Sequence, residues 1–168
     1  MTTSLISIEK GLKIILVDLL FVILLYFIPT LSHIFQIPFY LFEPMRVALF
    51  ATIIFTNNKT NSYILAFTLP LFSFCVGGHP VLLKTFMMAV ELTINVWLFW
   101  KIAGKKVALP FAAFISIVTS KAIYYLIKYA VISWGMLEMS IISTPIWIQL
   151  VIAAVLSSLF YLIIDKNK

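Results

Sequence analysis

The chain has 168 residues, of which 63% are hydrophobic and only 11% charged, with a mean hydropathy of +1.13. A water-soluble domain is roughly 45–50% apolar and about 25% charged, so this composition excludes a soluble globular protein and fits one transmembrane domain over residues 1–168. The formal charge of +6 comes largely from loops and tails that lack a base-reading module, which argues against nucleic acid as a partner.

A membrane-crossing helix needs about 20 mostly apolar residues. By that measure the expected fold is an all-α membrane protein, six transmembrane helices in a compact bundle. The first span covers about residues 12–31 and ends near Pro29. Its apolar run is too long for a signal peptide and no small-x-small triplet follows, so it is expected to remain as an anchor. The second and third spans, about 39–56 and 62–76, are the shortest, and Pro70 should kink the third. Between them, Thr56–Asn61 is too polar for the hydrocarbon and reads as a loop. The remaining spans are predicted at about 81–101, 107–130 and 145–164.

Lysines in short loops set orientation. Lys10, Lys13, Lys59, Lys101, Lys105, Lys106, Lys166 and Lys168 all fall on one side of a six-span chain, and the opposite loops carry no Lys or Arg. Both termini are therefore expected in the cytoplasm. The outer segment 131–144, with Trp134, Gly135, Met136, Glu138 and Met139, is too apolar for a free loop and should lie in the interface or cover the bundle mouth.

This topology brings six ionisable residues to one depth. At 1.5 Å per residue from Val107, Lys121 lies ~21 Å and Lys128 ~31 Å along the fifth span. Lys84 opens the fourth span and Glu91 lies deeper on it, while Glu43 and Arg46 sit in the outer part of the second. Spacings of three and four put Lys84, Met88, Glu91 and Asn95 on one helix face, and Lys121, Tyr124, Tyr125 and Lys128 on another. Polar stripes in lipid must turn inward. The small-residue ladders Ala112/Ser116/Ser120, Ala153/Ser157 and Ala154/Ser158 favour close helix contact.

Each group also has a purely structural role open to it. Lys84 and Lys128 can snorkel to outer headgroups, Arg46 can pair with Glu43 at i, i+3, and Lys121 with Glu91 can clamp two helices together. Trp134 suits an interface anchor, His33 and His79 suit hydrogen-bonded helix ends, and Asp18 is placed to meet a partner or Lys13. In the functional reading, Arg46, Lys84, Glu91, Asn95, Lys121, Tyr125, Lys128 and Trp134 contact a substrate. Four cations against two carboxylates, with flat aromatic faces, predict a small, partly anionic ligand with a planar part. No cofactor is expected. Cys75 is the sole cysteine and the two histidines have no acidic or His partner at ligand spacing, so no metal site is expected either.

The layout resembles the substrate-binding (S) components of energy-coupling factor (ECF) transporters. The resemblance is strongest over Ile37-Pro38-Phe39-Tyr40-Leu41-Phe42-Glu43-Pro44-Met45-Arg46, Leu69-Pro70 and Gly77-Gly78-His79-Pro80. It implies a multi-pass protein of the bacterial inner membrane that captures a vitamin-like micronutrient from outside. Its implied partners are a coupling transmembrane subunit and two cytoplasmic ATPases, and its contact residues fall at Lys84, Glu91, Asn95, Lys121, Tyr125 and the Trp134 loop. The family's Ala-x-x-x-Ala docking pattern is missing from the first helix, whose core is Lys13-Ile14-Ile15-Leu16-Val17-Asp18, which would move docking elsewhere, for instance to the sixth-helix ladder. The alternative is a structural or assembly protein of the cell envelope. An enzyme is not expected, because no nucleophile–base or paired-carboxylate arrangement is present.

Overall fold

A computed structural model describes residues 2–77, 81–105, 107–138, 140–142 and 144–165. The expectations that rest on Gly78, His79, Pro80, Lys106, Met139, Lys166 and Lys168 fall outside these residues. The described chain is all-helical: α1 (Thr2–Phe35), α2 (Pro44–Thr56), α3 (Lys59–Gly77), α4 (Leu82–Ala103), α5 (Leu109–Ser133) and α6 (Ile146–Asp165), with a 3-10 turn at Phe39–Phe42 before α2.

Two boundaries differ from expectation for identifiable reasons. α1 does not stop at Pro29 but runs through it to Phe35, leaving proline as an interior residue about two turns from the end. The second element, expected as one helix from 39, is divided. Pro44 occupies the first helical turn, where its missing N–H costs nothing and its fixed φ is already helical. Proline also disfavours helical geometry in the residue before it, and Glu43 adopts φ 50°. The Glu43 carbonyl accepts from the Arg46 and Val47 amides, at 2.9 and 3.1 Å, and so starts α2.

The Asn57-Asn58 pair ends one helix and begins the next. Asn57 takes φ 46° and its N–H donates to the Ile53 carbonyl at 2.9 Å, while Asn58 Oδ1 accepts the Asn61 N–H at 3.1 Å. This side-chain cap satisfies an otherwise unpaired donor. Asn58→Ala is expected to cost about 1 kcal/mol, measurable as lowered resistance of the detergent-solubilised protein to denaturant. Asn61 Nδ2 in turn donates to Asp18 Oδ1 at 3.1 Å and ties α1 to the first turn of α3. Asp18 is thus met by an asparagine of α3, not by Lys13.

Among the described residues, three helices are long and apolar enough to cross a membrane: Gly11–Phe35, Leu82–Ala103 and Leu109–Ser133. α2, at 13 residues, is only ~20 Å long. Large apolar side chains stand exposed on every helix, including Leu16, Phe55, Phe67, Trp97, Leu126 and Val155. Apolar surface this extensive is untenable in water. This is a membrane protein.

The most extensive packing joins α3 to α4, α4 to α5 and α5 to α6, while α2 touches both α3 and α6 and closes a ring; α1 lies outside, against α2 and α3. Lipid supplies no hydrophobic drive between helices, so shape and small residues carry the contacts. Ala112, Ser116 and Ser120 of α5 are fully buried as the ladder requires, and so are Ala153 and Ser157 of α6. Ala154 and Ser158 face outward. Toward the end bearing the Asn57-Asn58 turn, Phe99 and Phe50 meet edge to face at 5.8 Å and Phe50 and Phe160 at 5.6 Å, and Phe99 and Phe160 complete the trio at 5.3 Å. That aromatic plug fills one half of the bundle. The other half holds a smaller cluster of Met87, Tyr124, Val131 and Leu137 beside a cavity.

Candidate functional site: a charge ring beside an apolar cavity

Three helices deliver four charges to one point. Glu43 is presented by the left-handed turn before α2, Arg46 by the first turn of α2, Glu91 by the third turn of α4, and Lys121 by the middle of α5. Arg46 Nη1 lies 3.1 Å from Glu43 Oε2, and Arg46 Nη2 donates to Glu91 Oε1. Lys121 Nζ lies 2.7 Å from Glu43 Oε1 and 3.1 Å from Glu91 Oε1. Each carboxylate therefore meets both cations, and the four groups close into a neutral ring. Arg46 is 3% and Glu91 4% exposed. Charges so deeply withdrawn from water persist only when paired and hydrogen-bonded.

The ring borders an open cavity of about 460 Å³ lined by α1, α2, α3, α4 and α5, with Thr144 before α6. Of the residues expected to contact a substrate, Arg46, Lys84, Glu91, Lys121 and Tyr125 line it. Arg46–Glu43 and Lys121–Glu91, each considered as a structural pair, are present and belong to the cavity wall as well. Lys84 is half-buried on the same wall and has no ion-pair partner among the described residues.

Asn95, Lys128 and Trp134 are not on the wall. Asn95 lies one turn beyond Glu91 in α4, fully buried, and neither atom of its side-chain amide has a hydrogen-bond partner among the described residues. Lys128 does not snorkel outward. It is fully buried, with Nζ 6.0 Å from the Tyr124 ring centroid, because it continues the inward stripe of Lys121 and Tyr124. Trp134 is 75% exposed where α5 ends. Gly135 takes φ 71° there, its N–H donates to the Ile132 carbonyl, and the Met136 N–H donates to the Val131 carbonyl. This paired closure terminates the helix and leaves Trp134 on the outside. The expected excess of four cations over two carboxylates is thereby reduced on the cavity wall to a neutral ring plus Lys84.

Tyr124, expected as one of the flat aromatic faces, also lines the cavity, and other residues join the wall or support its rim. Tyr124 sits 5.4 Å beneath the Lys121 ammonium and 5.6 Å from Tyr125, ring to ring. Gln149, buried on α6, donates both amide hydrogens, to the Tyr125 hydroxyl and to the Thr144 carbonyl at 2.6 Å. It anchors the final loop to the rim. A lone glutamine inside the most apolar helix is a signal in the sequence, since an amide in hydrocarbon must find a partner. Leu25, Ile28 and Pro29 bring α1 into the wall, and nothing distinguishes them in the sequence from their lipid-facing neighbours.

Both carboxylates of the ring are committed to cations, and among the described residues no three His, Cys, Asp or Glu side chains gather as metal ligands. No family model matches the chain, and no curated protein or solved structure is similar to it.

Proposed function

We propose that this protein is the substrate-capture subunit of an ECF-type uptake transporter, a six-span protein of the bacterial inner membrane with both termini in the cytoplasm. The observation that carries this reading is a cavity of about 460 Å³ bounded by buried charges at one end of the bundle. Small-molecule sites are concave, mainly apolar and supplied with a few fixed polar groups, at roughly 300–1,000 Å³. The loop lysines Lys59, Lys101 and Lys105 lie at the opposite end, so the positive-inside rule turns the cavity outward. A scaffold of envelope assembly would need no such void. In this reading the subunit holds a small, partly anionic micronutrient and depends on a coupling membrane subunit and two ATPases for release inward.

Mass spectrometry of molecules that copurify with the intact protein identifies the ligand class directly. Lys84→Met should weaken its binding about 10- to 100-fold, the equivalent of one hydrogen bond to a charged group, while thermal stability changes little because Lys84 holds no ion pair. Unchanged affinity would remove Lys84 from the site. Copurification of nothing but lipid, together with failure to recover an ATPase in native pull-downs, would favour the scaffold.

A further inference from the structure

A second depression of about 240 Å³ runs down the outside of the bundle between α1 and α2, bordered by Phe21, Leu24, Phe39, Phe42, Val47 and Ala48. Leu25, Ile28 and Pro44 belong to both this groove and the cavity. The cavity and the lipid-facing groove thus adjoin at three apolar residues, at the junction where peripheral α1 meets α2.

The cavity's charges are mostly paired. Glu43, Glu91 and Lys121 are spent on one another, and Arg46 uses both terminal nitrogens on carboxylates. Hydroxyl-bearing Tyr40, Ser73, Tyr124, Tyr125 and Thr144 also lie on the wall, but the only cation there with no ion-pair partner among the described residues is Lys84. Its ammonium is a donor suited to an anionic oxygen. The remaining wall is mainly Met45, Met88, Leu92, Leu25 and Ile28. A polyhydroxylated or heavily amidated solute would leave its polar groups unmatched on such a surface, at a cost for each.

We propose that the ligand is a monoanionic amphiphile, whose carboxylate-type head meets the Lys84 ammonium and whose apolar tail passes Leu25, Ile28 and Pro44 into the α1–α2 groove. This rests on the capture reading and narrows its substrate class. The groove and cavity share lining residues, Lys84, which has no ion-pair partner among the described residues, lies on the cavity side, and the groove is apolar along its length. Head and tail therefore have separate, adjoining seats.

The test uses the full-length protein in nanodiscs and dodecanoate bearing a terminal photoreactive diazirine, with crosslinks mapped by mass spectrometry. Crosslinks are expected within residues 21–31 and 39–48, displaced by excess dodecanoate and at least tenfold less by dodecanol. Lys84→Met should reduce labelling about tenfold or more, the effect of one charged hydrogen bond. Val47→Trp, which fills the groove at an exposed position, should weaken dodecanoate about tenfold and leave benzoate binding unchanged. Thermal unfolding verifies that both variants fold. Labelling that excess dodecanoate cannot displace, and that survives Lys84→Met, would mean that the groove holds only bilayer acyl chains, and the proposal fails. If benzoate and dodecanoate bind equally in a Lys84-dependent manner and Val47→Trp affects neither, the capture reading stands and the amphiphile does not. If no carboxylate of any length binds, both are overturned.

Discussion

Glu91→Leu should lower the stability of the detergent-solubilised protein by about 3–5 kcal/mol, the usual cost of removing one partner from a buried ionic network. Glu91 accepts from Arg46 on α2 and Lys121 on α5, so its loss leaves Glu43 alone facing both cations and removes the ionic ties of α4 to α2 and α5. Most of the penalty comes from the charge left behind. Combining Glu91→Leu with Arg46→Met restores one anion to one cation, Glu43 with Lys121, and should recover more than half of the loss. Equilibrium unfolding of the wild type, both single variants and the double variant completes the thermodynamic cycle. A single-variant cost below about 1 kcal/mol, or strict additivity, would show that these groups do not act as a unit.

Phe99→Ala should be equally damaging to stability and nearly silent in binding. Phe99 is buried against Phe50 of α2 and Phe160 of α6, and truncating a buried phenylalanine costs about 3–5 kcal/mol through lost contacts and the void that remains. It is fifteen residues from Lys84 on α4, or ~22 Å along the axis. At that separation the two effects should be independent, leaving carboxylate affinity within about twofold of wild type. A tenfold loss of affinity would mean that the plug and the cavity are one mechanical unit.

The residues differ in how far the chain itself announced them. Helical spacing put Lys84, Met88 and Glu91 on one inward face of α4, and all three line the cavity; Asn95, the fourth member of the stripe, lies a turn too deep to reach it. The same spacing placed Lys128 on the inward face of α5 but could not distinguish an outward-reaching ammonium from a buried one. That depends on whether neighbouring helices leave the lysine a path to the surface, and here they do not. Pro44 explains why Glu43 stands in a turn, yet only the crossing of α2, α4 and α5 sets both carboxylates between the same two cations.

From its residues alone, the chain establishes its solvent and its helices: hydropathy demands a bilayer, proline and asparagine set where α2 and α3 begin, and the three-four rhythm of charges assigns each polar stripe an inward side. These are local or solvent-driven properties, determined by each segment with little help from the others. Tertiary packing decided the rest. Whether the four charges of the ring cancel, which cation of the cavity wall stays outside it, and whether α1 walls a cavity or only faces lipid depend on distances between segments remote in sequence. In hydrocarbon those distances are set by how side-chain shapes interlock, because burial against another helix and burial in lipid are nearly equivalent for an aliphatic residue. Leu25 and Ile28 read like any lipid-facing side chains until the ring of α2–α6 places a void behind them.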